Sequence, residues 1–200
     1  KDGHLELQFS AGKSLFGNKS AAGTFQVYAS GIFNLQKGSQ SEQVEMNQWN
    51  FCVLPGDQID YQWSINDFLT DHYELQCYGA NGFFRSFRGS KDAAALEVKV
   101  TAEMLSQKKA TGNIQITTLS TQDQTITITD NAYGLRPKTI TLKGGKSFSY
   151  ILDPTKSYGW YDFTISITGN SNFSQRYAGR IETGKNSISD PLMGRNRISE

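Results

Sequence analysis

The sequence has few of the residues from which catalytic and metal sites are usually built. Its 200 residues include 2 cysteines, Cys52 and Cys77, and 2 histidines, His4 and His72. Two cysteines exclude a disulfide-rich scaffold and a multi-cysteine zinc site, and neither histidine has a further ligand at metal-binding spacing. Asp71 precedes His72, but adjacent strand residues point to opposite faces, which disfavours a catalytic pair. We expect no cofactor, no metal and no self-contained hydrolase site.

The cysteines say little about the cellular compartment. Both lie in apolar, strand-like runs, and we predict two buried free thiols, with a single disulfide as the alternative.

The chain also lacks an excess of charge and a long apolar run. Lysine and arginine total 20 against 19 aspartate and glutamate, a net charge of +1. This balance gives no field that would attract nucleic acid or an anionic membrane surface. The apolar runs fall far short of the roughly 18 residues that a membrane span needs, and the polar start has no signal-peptide pattern. We expect a soluble piece, a fragment or a mature form, with no nucleic-acid partner and no transmembrane segment.

Two segments of the sequence are similar to each other. Tyr73 and the stretch 79–89 recur as Tyr161 and the stretch 169–179. In both copies an acidic and an apolar residue follow the tyrosine, and the later stretch begins and ends with glycine at the same spacing. A repeat length of about ninety residues is too long for a solenoid repeat and suits a duplicated small domain.

Alternating apolar residues dominate both halves, as in Leu5, Leu7 and Phe9 or Phe163 and Ile165. This period of two predicts antiparallel strands with one core face and one solvent face, while helical signals are at most one or two turns long. The fold class is therefore all-β, with two tandem immunoglobulin-like antiparallel β-sandwich domains over residues 1–92 and 93–200.

The two predicted domains are not identical. The strand at 5–9 resembles the strand at 96–100, and we interpret both as opening strands. The first copy has an additional polar stretch at 36–50, which we predict to be a long surface loop.

Aromatic residues and arginines near the repeated motif supply the contact candidates. Phe83, Phe87, Phe173 and Tyr177 lie four apart in each copy and are predicted to pack in the cores. We predict contacts with lipid or another ligand for a further aromatic residue and cations near the motif, and for arginines near the end of the chain. These candidates are Phe84, Arg85, Arg88, Arg176 and Arg180. For the later arginines, with Arg195 and Arg197 among them, we predict a solvated face of mixed charge, and a phosphate-binding patch is the alternative.

The segment 130–134, with Asp130 and Asn131, is rich in oxygen ligands. It lacks the spaced carboxylates of a calcium loop, and we predict a turn.

Several segments of the second copy resemble a known family. The segments 159–163, 176–184 and 187–194, together with 130–134, are similar to the closing part of bacterial phosphocholine-preferring phospholipases C. The first copy is similar more loosely, through Tyr73 and its neighbours and the glycine-rich stretch that follows.

The resemblance implies a specific role. In that family two tandem copies of a small C-terminal domain follow a catalytic domain that cleaves phosphatidylcholine or sphingomyelin and releases phosphocholine. It implies that this chain is a noncatalytic accessory part, that its partner is the upstream catalytic domain of the same polypeptide, that a phospholipid surface is a further partner, and that the parent is secreted or periplasmic. No catalytic residue is carried over to this chain.

Two other functions stay open from the residues alone. One is a structural spacer or a glycan- or protein-binding adhesion module, because a sandwich fold does not fix function. The other is an enzyme complete in itself, which the residue inventory disfavours.

Overall fold

The computed structural model describes residues 3–70, 72–90, 96–106, 109–186 and 188–194. Asp71, Arg195 and Arg197 lie outside these ranges, as does the predicted boundary between residues 92 and 93, which stays a prediction. The described residues form thirteen strands and three short 3-10 turns, and no α-helix. The strands are β1 (His4–Ser10), β2 (Gly23–Lys37), β3 (Gln40–Val53), β4 (Gln58–Ser64), β5 (His72–Gly79), β6 (Phe84–Ser90), β7 (Leu96–Ser106), β8 (Lys109–Ser120), β9 (Gln124–Asp130), β10 (Lys138–Leu142), β11 (Ser147–Leu152), β12 (Trp160–Ile167) and β13 (Asn170–Arg180). The 3-10 turns are Gly17–Lys19, Ile65–Asp67 and Thr155–Ser157.

None of the described helices has the length and apolar character needed to cross a membrane.

One long sheet is shared by both halves of the chain. Eight strands pair in the order β10-β9-β12-β13-β6-β5-β2-β3, and neighbouring strands run antiparallel. The pair β1-β4 covers the first half of this sheet, and the three strands β11-β8-β7 cover the second. Two separate hydrophobic cores fill the spaces between the layers. The prediction of two tandem antiparallel sandwiches is confirmed.

Strand alternation decides which side chains enter the cores. On β5, Leu75 and Cys77 are buried, and Gln76 and Tyr78 between and after them point outward. Burial raises the pKa of the Cys77 thiol to about 11. Cys52 is exposed, because Phe51 and Val53 occupy the inward positions of β3, and neither cysteine is in a disulfide. The prediction of two free thiols is confirmed, and the prediction of burial is wrong for Cys52.

The stretch 36–50 is not a loop. It lies in a hairpin formed by β2 and β3, whose turn contains Gly38 at φ +65°. The strand β3 is at the edge of the sheet, and most side chains of its first half are polar and exposed while its backbone pairs with β2. The prediction of a surface loop is therefore wrong.

The covering sheets differ between the halves. In the first, β1 pairs with β4, and Leu5 is opposite Trp63. In the second, β8 pairs with β11 in the same way, and Ile114 is opposite Leu152. The strand β8 thus holds the position of β1, and β7 adds an outer strand.

The segment after β9 is a turn, as predicted. The Asp130 carboxylate accepts hydrogen bonds from the backbone N–H of Tyr133 at 2.8 Å and of Leu135 at 3.0 Å. An aspartate that caps its own turn in this way is a common turn device.

The repeated tyrosine and glycine of each copy are cross-strand partners. Tyr73 is opposite Gly89, and Tyr161 is opposite Gly179. A Cβ atom at Gly89 would lie 2.3 Å from the Tyr73 hydroxyl oxygen, and one at Gly179 would lie 3.1 Å from that of Tyr161. Each tyrosine ring occupies the space that a side chain at the glycine would need.

The two halves join through the last strand of each copy. The strands β6 and β13 pair with Ser86 opposite Arg176, and these two residues hold equivalent positions in the repeat. The junction therefore has the symmetry of a twofold axis, as in a dimer that uses one surface twice. On its inner face the rings of Phe87 and Tyr177 meet edge to face, with centroids 6.2 Å apart.

Arg85 lies on the inner face of this junction. Its guanidinium donates hydrogen bonds to the backbone oxygen of Ala178 at 2.7 Å and to the Tyr161 hydroxyl at 2.9 Å. It also lies 4.3 Å from the ring centre of Phe83 and 5.2 Å from that of Tyr177. A residue of the first half thus binds the second half through charge-assisted hydrogen bonds and cation–π contacts.

We expect Gly89→Ala to lower the free energy of unfolding by about 1–3 kcal/mol, because the new methyl group forces the Tyr73 ring to move. Urea denaturation measures the change. Gly12→Ala is the control, since nothing lies within 4 Å of a Cβ there. Equal stabilities of the two variants would contradict this account of the repeated glycine.

We expect Arg85→Met to lower the free energy of unfolding by about 3 kcal/mol, because Ala178 and Tyr161 lose charged donors at a half-buried site. The exposed Arg136→Met is the matched control and should change stability by less than about 0.5 kcal/mol. If both variants unfold at the same urea concentration as the parent chain, Arg85 does not hold the halves together.

Candidate ligand site at the end of the second repeat

The five contact candidates from the sequence lie on two adjacent strands, β6 and β13. Because β6 and β13 pair in register, alternation assigns each candidate to a face of the sheet. Arg85 points inward, where its donors bind the protein. A ligand contact there stays a prediction. The other four candidates share the outward face: Phe84, Arg88, Arg176 and Arg180.

Arg176 and Phe84 form one outward contact. The Arg176 guanidinium binds the Asp162 carboxylate with two hydrogen bonds, Nε to Oδ1 at 2.8 Å and Nη2 to Oδ2 at 2.6 Å. Its Cζ lies 5.3 Å from the ring centre of Phe84. The charge of Arg176 is therefore balanced by Asp162, which raises the arginine's pKa.

Aromatic side chains continue from Phe84 across the outward face. The ring centres of Tyr78 and Phe84 are 4.8 Å apart, and those of Tyr28 and Tyr78 are 5.6 Å apart. This row crosses the strands β2, β5 and β6. The sequence analysis missed Tyr28 and Tyr78. The signal that could have found them is an aromatic residue at a position that strand alternation assigns to the solvent face.

Arg88 is opposite Glu74 on the neighbouring strand. Its Nε is buried and has no hydrogen-bond partner in the part of the chain that the structure describes.

Arg180 is nearly buried, in contrast to the outward Arg176. It ends β13 and is opposite Trp160, the first residue of β12. Its side chain is 8% exposed, and its Nη1 lies 3.3 Å from the Glu182 carboxylate. Within the described ranges its buried Nε has no partner. Arg180 is therefore a nearly buried cation whose donors are only partly bound by the residues that the structure describes.

Two open clefts meet at Arg180. The larger, of about 590 Å³, is lined by Trp160, Arg180, Glu182, Lys185, Asp190 and Met193, among others. The smaller, of about 320 Å³, lies beside the 3-10 turn before β12 and shares Arg180, Lys185 and Ile188 with the larger. Cations, carboxylates, an indole and apolar side chains thus surround the same space.

The segment after β13 forms the outer wall of these clefts. The Trp160 indole Nε1 donates a hydrogen bond to the backbone oxygen of Ile188 at 3.1 Å. Asp190 accepts from the backbone N–H of Leu192 at 2.9 Å. Burial and the nearby Asp190 carboxylate both raise the pKa of Tyr133. These contacts hold the segment against the end of the second sandwich.

Large apolar side chains are exposed around the same end. Tyr158 is 59% exposed and Met193 is 72% exposed. Leu105, at the end of β7, is 67% exposed. Leu105 lies near the smaller cleft, because its neighbour Met104 pairs with Ala110 and Gly112, two residues after Ala110, lines that cleft.

This arrangement is suited to binding a charged ligand. Arginine and lysine bind anions, and an indole with nearby carboxylates binds cations. Among the described residues there is no group of three or more histidine, cysteine, aspartate or glutamate side chains positioned for a metal ion. Of the cleft residues, the sequence analysis named Arg180 as a contact candidate and missed Trp160, Lys185 and Met193 in that role, because only the folded chain brings them together.

Comparisons with known proteins agree with the duplication. The family model for the bacterial phospholipase C C-terminal domain matches twice, at residues 3–90 and 93–180. The non-hemolytic phospholipase C of Burkholderia pseudomallei is 32% identical over 194 residues, covering 96% of this chain and 26% of the relative. The hemolytic phospholipase C of Pseudomonas aeruginosa is 27% identical over 202 residues, covering 94% of this chain and 28% of the relative.

The chain thus spans about a quarter of the length of these curated relatives. The two matches of the family model follow the two sandwiches and meet near the predicted boundary. The chain belongs to the bacterial phospholipase C C-terminal domain family and contains two copies of that domain.

Proposed function

We propose that this chain is the noncatalytic C-terminal region of a secreted phospholipase C that hydrolyses phosphatidylcholine or sphingomyelin to release phosphocholine. The chain packs on the upstream catalytic domain of the same polypeptide and helps it to engage lipid. The observation that carries this proposal is the double family match over residues 3–90 and 93–180, in a chain that covers 26% of a full-length relative.

The distribution of exposed apolar side chains supports a lipid-facing role. Leu105, Tyr158 and Met193 lie at the end of the second sandwich, where Arg180 and Lys185 line the clefts. Apolar side chains beside cations are typical of surfaces that enter the headgroup region of a bilayer. The aromatic Tyr158 suits the same region, because it has an apolar ring and a polar tip.

A second candidate function is glycan or protein binding on the outward face of the long sheet. The aromatic row of Tyr28, Tyr78 and Phe84 favours it, because Tyr78 is 42% exposed and lies beside the amide of Gln76. Exposed aromatic side chains with neighbouring amides suit uncharged polar partners. A spacer without a ligand would need neither this row nor the apolar end.

Removal of this region from the parent polypeptide should lower hydrolysis of phosphatidylcholine vesicles by about tenfold or more, because the enzyme loses its local concentration at the lipid surface. Hydrolysis of a soluble phosphocholine ester should fall much less. Turnover of both substrates, compared with and without the region, measures the effect. Unchanged rates on both substrates would contradict an assisting role.

The isolated chain should co-sediment with phosphatidylcholine and sphingomyelin vesicles at moderate salt. Leu105→Ser should weaken that binding about tenfold, because it removes a side chain that would be buried in the bilayer interface. Ile151→Ser is the matched control, since Ile151 is 39% exposed on the strand β11. Absence of vesicle binding by the unaltered chain would favour a scaffold for the catalytic domain.

A further inference from the structure

Arg180 has more hydrogen-bonding capacity than its described neighbours use. A guanidinium carries five N–H donors. At Arg180 the contact with Glu182 is 3.3 Å long, and the buried Nε has no partner among the described residues. Arg85 on the neighbouring strand shows the opposite condition, since it binds Ala178 and Tyr161 at 2.9 Å or less. A nearly buried cation with unused donors beside an open cleft is suited to an anionic ligand.

A second cation lines the same space. Lys185 borders both clefts that meet at Arg180, and it is exposed. A guanidinium and an ammonium on one cleft wall match an oxyanion with several acceptor oxygens, such as a phosphate ester. A planar guanidinium supplies paired donors, and the flexible lysine supplies a mobile point charge.

The larger cleft also contains groups that attract a cation. Trp160 lines it, and tryptophan has the aromatic face that binds cations best. The carboxylates of Glu182 and Asp190 line the same cleft. Arg180 and Trp160 are directly opposite in the β12–β13 ladder, so the anion-binding and cation-binding groups are neighbours.

The rim of the site is apolar. Met193 is 72% exposed and Ile188 is 47% exposed, and both line the larger cleft. A ligand with an uncharged or apolar extension would contact these side chains where it leaves the cleft.

The geometry points to a binding site for a phosphate ester whose alcohol carries a quaternary ammonium, with Arg180 and Lys185 at the phosphate and Trp160 at the cation. The site binds its ligand without cleaving it. This inference rests on the proposed function and deepens it, because the headgroup of phosphatidylcholine has this chemistry. It adds a lipid headgroup site within the accessory region itself.

Calorimetric titration of the whole chain tests the site. Phosphocholine should bind with a Kd on the order of 1 mM or tighter, and it should bind better than choline or inorganic phosphate alone. Arg180→Gln should weaken phosphocholine binding at least tenfold, because an uncharged amide replaces the positive charge and the paired donors of the guanidinium. Trp160→Leu should remove the preference for phosphocholine over inorganic phosphate. The exposed Arg136→Gln is the matched control and should bind as the parent chain does.

The test does not depend on the folding of the Arg180 variant alone. Arg180→Gln should keep the near-ultraviolet circular dichroism spectrum of the parent chain, since it removes a buried charge with few partners. If that variant does not fold, the exposed Lys185→Gln replaces it, and a loss of at least threefold in phosphocholine binding is expected. Unchanged binding by a folded Arg180→Gln variant would overturn the proposal.

Other ligands separate the remaining outcomes. Absence of phosphocholine binding at about 10 mM would overturn the site. Equal binding of inorganic phosphate, insensitive to Trp160→Leu, would show a plain anion site and overturn the zwitterion assignment. Vesicle binding that persists without phosphocholine binding would overturn this site and leave the proposed function intact. Phosphocholine binding without vesicle binding would support the site and contradict the lipid-surface role.

Discussion

The pairing of β6 with β13 is the interaction on which the rest of the structure depends. An unpaired strand at the edge of a sandwich exposes a row of backbone donors and acceptors that attracts other chains. Here the last strand of each copy protects the other, and the eight-stranded sheet that results has its free edges at β3 and β10. The two sandwiches therefore share their backbone hydrogen bonding, while each keeps its own core.

Two arginines near this junction show how local surroundings decide the role of a side chain. Arg85 lies among Phe83, Tyr161 and Tyr177, and the protein supplies its acceptors. Arg180 lies at the end of β13, where the sheet stops and the chain leaves its partner strand. The first arginine is a structural clamp, and the second retains binding capacity beside an open cleft.

Much of the fold followed from local sequence patterns, because strand alternation depends on neighbouring residues alone. The inward positions of β5 and β12 and the turn at Asp130 are predictable in this way. The polar hairpin of β2 and β3 resembles a loop in sequence, because the first half of the edge strand β3 is mostly polar and lacks the apolar alternation that identifies strands. The cleft was not predictable, because Trp160, Lys185 and Met193 meet only through the path of the chain after β13. The membership of the family came from particular motifs and not from periodicity.

The twofold relation of the junction bears on the duplication itself. Rotation about an axis through the sheet between Ser86 and Arg176 carries the end of one sandwich to the opposite end of the other. The positions in the first copy that correspond to Trp160 and Arg180 are held by His72 and Ser90, which are likewise paired, and they lie at the far end of the strands. A flat surface that touches one end cannot touch the other at the same time. A contact of this kind therefore involves the end of the second copy alone and leaves the equivalent end of the first copy available to a different partner.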